Sequence, residues 1–303
     1  MTAGDSLKGK PRVSVLMTIY NAAPFLRESI DSLIAQSFLD WELIAIENGS
    51  TDESSKILEG YKDPRIRIFP FPKNIGRTPA LCHALSQAQA EYIAILDADD
   101  AAYPQRFTRQ VEFLDNNPET VLVGSWVQKM DEKGHVFDRW EPPTNSEELH
   151  ECLGWIDPIV NSSAMFRRQT ALAAGGYPQE YVYAQDFALL LLLSQHGRLA
   201  VIGEHLCKLR IYAHNLSNSS KNAMNVASEG LRLMKYAGEK LPLSSKARRM
   251  NRSSIAKYEI RCGLAMLKNR EALSGFKRIL SALVSNPDVL WTNQLFRSPF
   301  QAV

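Results

Sequence analysis

The chain has 303 residues, of which 45% are hydrophobic and 22% charged, an ordinary composition for one large globular domain or two small ones. No apolar run approaches the roughly 18 to 20 residues of a membrane-spanning helix, and the polar N-terminus lacks the apolar segment of a secretory signal. The four cysteines lie far apart without a C-x-x-C pair, which argues against a zinc site or a disulfide framework. A reducing cytoplasm is therefore the expected setting.

Charge is distributed unevenly along the chain. Residues 1–229 contain 21 Lys and Arg against 29 Asp and Glu, whereas residues 230–303 contain 14 against 4. The net charge of +2 therefore conceals an acidic region followed by a basic one. This segregation predicts two regions with different partners.

The first hundred residues alternate between predicted strands and predicted helices. Apolar residues at helical spacing separate four short apolar runs typical of buried strands. These runs are Val13–Thr18, Trp41–Glu47, Ile66–Phe71 and Tyr92–Leu96. Their alternation with helices predicts a parallel sheet that is covered on both faces.

The pattern changes after Asp100. A helix through Phe107, Val111 and Leu114 is expected first, then two strands around the turn "DEKG" and a strand in "PIVNSSAMFRR". A buried helix follows in "QDFALLLLLSQHG", and "LAVIGEHLCKLRIY" predicts two short strands. From about Ser219 the sequence is helical and basic.

Polar side chains follow three of the predicted strands, in the segments 18–21, 47–52 and 97–100. Ligands of such sheets bind beyond the carboxyl ends of the strands, so we expect these segments to converge on one crevice. The last segment contains Asp97, Asp99 and Asp100, which raise one another's pKa unless a cation compensates. A D-x-D alone is a weak motif, because short acidic clusters also cap helices, but its position after an apolar strand favours a Mg²⁺ or Mn²⁺ site.

Four motifs occur in order: "VSVLMTIYNAAPFLRESIDSLIAQSF", "WELIAIENGSTD", "NIGRTPAL" and "YIAILDADD". They resemble family two of the inverting nucleotide-sugar glycosyltransferases, and the similarity continues through "GGY", "QDF" and "LRIYAHNLS" to residue 217. The resemblance implies an α/β GT-A fold, with a mostly parallel, Rossmann-like sheet flanked by helices. It divides the chain into a tail (1–10), a catalytic domain (11–218) and a basic helical C-terminal region (219–303). The catalytic domain would comprise a nucleotide-binding half (11–100) and an acceptor-binding half (101–218).

The resemblance also implies a set of residues around the nucleotide-sugar: Thr18, Tyr20, Asn21, Glu47, Asn48, Asn74, Gly76, Asp97 and Arg210. Glu47 and Asn48 stand where the family usually has Asp-Asp, whose second member accepts a hydrogen bond from the base. Asn48 still accepts through its amide oxygen, but without charge. Two alternatives stay open: Gly76 is equally a turn glycine, and Arg210 contacts the diphosphate or forms a salt bridge.

Catalytic roles follow from the same resemblance. Asp99 is the expected metal ligand, with Asp97 beside the ribose or supporting the metal. Asp186, after "GGY", matches the general base, although an N-terminal helix carboxylate is the alternative. Gln185 replaces the usual Glu, and the loss of this charge is expected to lower the pKa of Asp186.

Near the end of the resemblance, Tyr212 occupies the position of the usual metal-side His. His214, two residues on, is either a substitute metal ligand or a surface His. On the acceptor side, Trp155 and Asp157 are candidates for lining the sugar pocket.

The basic C-terminal region has two interpretations: a solvated helical subdomain packed on the catalytic core, or a peripheral contact of residues 230–303 with an anionic membrane surface. Nucleic acid is not an expected partner, because no recognised module accompanies the charge. The sequence thus predicts a cytoplasmic enzyme, with membrane contact at the inner face as an option.

The predicted activity is the metal-dependent, inverting transfer of a sugar from a nucleotide-diphosphate donor, expected to be a UDP-sugar, to a saccharide or lipid-linked acceptor. Synthesis of a bacterial surface polysaccharide or glycolipid is the expected role. The alternative is a non-catalytic nucleotide-binding module that recruits a partner through its basic tail, suggested by Asn48, Gln185 and Tyr212. A nucleotidyltransferase ranks last, because a Gly-rich, Lys-containing phosphate loop does not follow the first strand.

Overall fold

The computed structural model describes residues 10–212, 222–287 and 289. Within these ranges one sheet contains β1 (Val13–Ile19), β2 (Trp41–Asn48), β3 (Ile66–Phe71), β4 (Tyr92–Ile95), β5 (Ala101–Ala102), β6 (Thr120–Met130), β7 (Val136–Trp140), β8 (Met165–Arg167) and β9 (Arg198–Arg210). The helices are α1 (Ala23–Ile34), α2 (Ser54–Gly60), α3 (Arg77–Gln87), α4 (Arg106–Asn116), α5 (Ser146–Cys152), α6 (Arg168–Ala173), α7 (Gln185–Leu193), α8 (Ala223–Lys240), α9 (Ser245–Lys268) and α10 (Ala272–Ser285).

The strand order is β3-β2-β1-β4-β8-β6-β9-β5, with β7 paired to β6. β1 runs parallel to β2 and β4, and β2 runs parallel to β3, as the alternating pattern predicts. Beyond β4 the sheet is mixed: β8 is antiparallel to β4 and β6, whereas β6 and β9 are parallel. The α/β class is therefore confirmed, with the parallel arrangement concentrated in the first half of the chain.

Strand β9 corrects one expectation. The two short strands predicted in "LAVIGEHLCKLRIY" form one strand, whose pairing with β6 has three irregularities. Ile202 pairs with Ser125 and His205 with Trp126, so Gly203 and Glu204 are extra residues on β9. Such a bulge breaks the apolar pattern without ending the strand.

Alternate residues of the central strands pack on opposite faces of the sheet. Val15 and Met17 of β1 pack with α1, α2 and α4, whereas Leu16 packs on the other face with α3 and α7. The second face also receives Leu233 and Met234 of α8, so the C-terminal helices share the main core. The domain boundary at residue 218 stays a prediction. Among the described residues, no helix combines the length and apolarity needed to cross a bilayer.

Candidate active site

The acidic segment predicted after the fourth strand forms a tight loop beyond β4. One carboxylate oxygen from each of Asp97, Asp99 and Asp100 lies within 4.8 Å of the others. Asp100 is buried, and it accepts hydrogen bonds from the Ser162 hydroxyl and from the backbone N–H of Arg210 (2.8 Å). Because β5 pairs with β9, the end of β9 is held against this loop. Asp100 therefore connects the loop to the second half of the sheet.

Asp97 and Asp99 have different surroundings. Both carboxylate oxygens of Asp97 lie 2.7 Å from Nη2 of Arg77, and Oδ1 also accepts from Nδ2 of Asn161 at 3.1 Å. Asp99 accepts from the hydroxyl of Tyr212 through Oδ2, at 2.9 Å. Burial, followed by the charge of Asp97, raises the pKa of Asp99. The charge of Asp97 is thus compensated by Arg77, whereas that of Asp99 is not compensated to the same degree.

These carboxylates fit a divalent cation. Hard oxygen donors within 4.8 Å of one another are the ligand type that Mg²⁺ and Mn²⁺ prefer. The pKa of Asp100 is also raised well above its usual value, first by burial and then by the charges of Asp99 and Asp97. A bound cation would relieve this repulsion.

Tyr212 is placed against the acidic loop, at the position where the resemblance implies a His. Its hydroxyl donates to Asp99 and its ring packs 5.2 Å from that of Phe25. Burial and the charge of Asp99 raise the pKa of Tyr212, which keeps the phenol protonated and able to donate. His214 lies outside the described residues.

Arg210 is buried against the backbone of the acidic loop. Its side chain is 1% exposed and donates to the backbone oxygens of Asp99 (2.8 Å), Asp131 (3.0 Å) and Glu132 (3.1 Å). It also forms an ion pair with Glu28. Of the two alternatives for Arg210, the salt bridge is therefore observed, and a contact with the diphosphate stays a prediction.

Asn48 shapes the loop that begins α3. Its Nδ2 donates to Oδ1 of Asn74 (3.2 Å) and to the backbone oxygen of Gly76 (3.3 Å), while its Oδ1 accepts from the backbone N–H of Ile75 (2.9 Å). Gly76 has φ of 94°, a conformation that favours glycine. Asn48, Asn74 and Gly76, all predicted to bind the nucleotide-sugar, are thus brought together. The hydrogen bonds of the Asn48 side chain hold the loop that begins α3.

The loops after β1 and β2 are tied to one another. Oδ1 of Asn21 accepts from the backbone N–H of Thr51 at 2.8 Å, and Glu47 accepts from the backbone N–H of Ser50 at 2.7 Å. Gly49 has φ of 72°, and a Cβ there would lie 2.4 Å from the backbone carbon of Lys73. This close approach requires glycine.

Thr18 and Tyr20 lie at the same edge of the sheet, the first half-buried and the second exposed. Asp52 accepts from the backbone N–H groups of Ala23 and Ser54, both at 3.0 Å. Asp52 therefore binds the first backbone N–H group of both α1 and α2.

Arg77 links the acidic loop to the start of α7. Nη2 of Arg77 binds Asp97. With the Gln185 amide oriented so that both of its ends are satisfied, its oxygen accepts from Nε of Arg77 at 3.1 Å and its nitrogen donates to the backbone oxygen of Val182 at 3.1 Å. Asp186 follows in the first turn of α7, where its Oδ1 accepts from its neighbour's backbone N–H. Arg77 was missed by the sequence reasoning, although it stands within the "NIGRTPAL" motif.

The pKa of Asp186 lies above its ordinary value. Burial raises it, and the positive charge of Arg77 opposes this rise without cancelling it. The lowering expected from Gln185 is relative to a Glu at that position, so it stays a prediction; the observed rise above the ordinary value is set first by burial.

On the acceptor side, Asp157 lies near Asp186. Burial, followed by the charge of Asp186, raises the pKa of Asp157 well above its usual value. Trp155 is half-buried, and its backbone oxygen accepts from the hydroxyl of Ser254 on α9 at 2.9 Å. The C-terminal helices therefore contact the segment predicted to line the sugar pocket.

Glu229 on α8 holds the segment that leads into α7. Its carboxylate accepts from the backbone N–H groups of Val182 (3.0 Å), Tyr183 (2.8 Å) and Ala184 (3.0 Å). The side chain is buried, and Asp186 follows two residues after this cradle. An acidic residue within a helical region gives no sequence signal of such a contact.

Comparisons with known proteins agree with this geometry. Residues 14–173 match the profile of the family described as glycosyl transferase family 2. An uncharacterized glycosyltransferase of Methanocaldococcus jannaschii, MJ1057, is 30% identical over 67% of this chain and 71% of that protein. The amylovoran biosynthesis glycosyltransferase AmsE of Erwinia amylovora is 29% identical over 65% of this chain and 75% of its own length.

Two solved structures share the fold. S. aureus TarS 1–349 in complex with UDP-GlcNAc has a TM-score of 0.66 at 17% identity, over 92% of this chain and 81% of that one. The mannosyltransferase PcManGT of Pyrobaculum calidifontis, in complex with GDP-Man and Mn²⁺, has a TM-score of 0.60 at 17% identity, over 94% and 89%. The GT-A fold expected from the sequence is thereby confirmed. With the family profile covering more than half of the chain, this protein belongs to glycosyl transferase family 2 and is a glycosyltransferase.

Proposed function

We propose that this glycosyltransferase is metal-dependent and inverting, and that it moves a sugar from a nucleotide-diphosphate donor to a saccharide or lipid-linked acceptor. The observation that carries the proposal is Arg77, which binds Asp97 of the acidic loop and acts electrostatically on Asp186. The candidate metal ligands and the candidate base therefore lie around one arginine, and we infer that they face one cleft.

The choice of donor and role rests on relatives. TarS was solved with UDP-GlcNAc and PcManGT with GDP-Man and Mn²⁺. AmsE is named for amylovoran biosynthesis. We infer a UDP-sugar first and a GDP-sugar second, used in surface polysaccharide or glycolipid synthesis.

Asp99 and Asp97 would hold the cation, which supplies positive charge that stabilises the departing diphosphate. Asp186 acts as general base. One of its carboxylate oxygens takes the proton of the acceptor hydroxyl while the oxygen of that hydroxyl bonds to the anomeric carbon. The bond from this carbon to the diphosphate breaks on the opposite face, and the configuration inverts. Arg77 favours the ionised form of Asp186, which the reaction needs.

Thermal-shift screening of UDP- and GDP-sugars with and without Mn²⁺ identifies the donor, because a ligand of the folded state raises apparent stability. NMR of the product then gives its anomeric configuration, which is expected to be opposite to that of the donor. Asp186→Asn should bind the donor and lose transfer. Full turnover in Asp186→Asn would remove the base assignment, and donor binding without any transfer in the natural chain would favour a non-catalytic module.

A further inference from the structure

Exposed apolar side chains are concentrated at the end of the described chain. Among the described residues fourteen large hydrophobic side chains are exposed, and six of these lie between residues 264 and 284. Four form a row on α10, here called the α10 stripe: Leu273 (68% exposed), Phe276 (61%), Leu280 (51%) and Val284 (75%). Their spacing places them on one face of the helix.

The packing of α10 on α9 explains why this face points outward. A Cβ on Gly275 would lie 2.6 Å from the backbone oxygen of Gly263, so the two helices touch backbone to backbone. Ile279 and Ala282 pack in the small cluster formed with α9. This contact buries one face of α10. The α10 stripe lies on a different face, which no described element covers.

Positive charge accompanies the stripe. Lys268, Arg270 and Lys277 are exposed at the α9–α10 turn and on α10 itself, whereas Glu271 is the one acidic residue between positions 264 and 287 of the described chain. An apolar groove of a protein partner would need acidic groups placed to pair with these cations. A lipid interface accommodates both features, since acyl chains accept the apolar face and anionic headgroups accept the cations.

We propose that the α10 stripe, with Lys268, Arg270 and Lys277, docks this protein on the surface of an anionic bilayer. The helix lies in the plane of the interface, with its apolar side chains at the boundary between headgroups and acyl chains. The inference does not depend on the proposed base, metal or donor, because it concerns a surface distant in sequence from those residues.

Flotation of the intact protein with vesicles tests the proposal. Binding is expected to phosphatidylcholine vesicles that contain phosphatidylglycerol, and it should weaken with added salt and on vesicles of phosphatidylcholine alone. Replacing all four stripe residues by Ser should reduce partitioning by on the order of a hundredfold or more. Each Lys or Arg replaced by Gln should reduce it by about fivefold.

A matched control replaces Leu39 and Phe137, exposed apolar residues elsewhere on the surface, by Ser. This variant should float like the natural chain. Equal binding by the stripe variant and the natural chain, or no preference for anionic vesicles, would overturn the proposal. Light scattering tests whether a second copy of the chain binds this face instead. If the natural chain is an oligomer and the stripe substitutions convert it to a monomer, the stripe is an interface between copies and the proposal is overturned.

Discussion

Glu229 provides a sharp test of how the C-terminal helices support catalysis. Its carboxylate accepts three backbone N–H bonds just before α7, with Oε1 serving Val182 and Oε2 serving Tyr183 and Ala184. In Glu229→Gln, the amide retains one acceptor oxygen and places an NH₂ group against at least one of these donors. A buried donor left unsatisfied costs about 1–3 kcal/mol, and the surviving bonds lose their charge assistance.

We therefore expect Glu229→Gln to lower the free energy of unfolding by about 2–4 kcal/mol. The functional effect should exceed what stability alone explains, since the loosened segment leads directly into α7, which carries Asp186 in its first turn. Displacing a reacting group by about 1 Å can cost on the order of a hundredfold in rate. The expected result is a kcat reduced by ten- to a hundredfold, with the KM for donor little changed.

The assay pairs steady-state kinetics with thermal unfolding. Glu239→Gln is the matched control, because Glu239 is an exposed carboxylate on the same helix. It should change neither the melting temperature nor kcat. A Glu229→Gln variant that melts earlier but keeps its kcat at temperatures where it is folded would refute the positioning role, and one unchanged in both respects would refute the energetic argument as well.

Three further predictions concern the cleft. Arg77→Gln removes a charge that lowers the pKa of Asp186, so the acid limb of the kcat/KM profile should move to higher pH, and less so in Arg77→Lys; an unmoved limb contradicts the pairing. Tyr212→Phe removes one hydrogen bond to Asp99 and should weaken Mn²⁺ binding by no more than about tenfold in calorimetric titration; complete loss would make Tyr212 itself a ligand. Chelation should abolish transfer, and Mn²⁺ should restore it in the natural chain but not in Asp99→Ala; turnover without metal would end the metal assignment.

The sequence predicted the first half of the fold well because its signals there are local. A fully buried strand such as β4 is an uninterrupted apolar run, and the helices between strands repeat their apolar residues at a fixed spacing. The two-residue strand β5 is too short to show any period, and the bulge at Gly203 hides the continuity of β9. Both the existence of β5 and the continuity of β9 depend on pairing with residues distant in sequence, which the local pattern does not encode.

The same distinction applies to the site. Asp97 and Asp99 follow β4 directly and were predicted from that position. Ser162, which bonds to Asp100, lies 62 residues away from it, and Glu229 lies 45 residues from Ala184. Contacts at such separations exist only once the chain has folded, and so these supporting residues were not predicted. Arg77 is different, because its position inside the "NIGRTPAL" motif was a usable signal, although its contact with Asp97 exists only in the folded chain.

The C-terminal helices connect the proposed membrane surface with the acceptor side of the cleft. α9 touches α10 at the Gly263–Gly275 crossing and also donates from Ser254 to the backbone oxygen of Trp155. Helix α9 therefore contacts both α10, which carries the proposed membrane surface, and the segment of Trp155 and Asp157. If the acceptor is lipid-linked, the stripe substitutions should reduce transfer to acceptor embedded in anionic vesicles while leaving transfer to a water-soluble saccharide unchanged.

Assaying the membrane-embedded and the water-soluble acceptor in parallel distinguishes an effect on access to the acceptor from an effect on the transfer step itself. Loss of both activities in the stripe variant would indicate that α10 supports the fold of the cleft, and retention of both would show that docking does not serve acceptor delivery. The selective loss follows from the geometry: the stripe residues lie on α10, whereas the groups proposed to act on substrate follow β4 and begin α7. Membrane contact then raises the concentration of acceptor near Asp186 without altering the reacting groups.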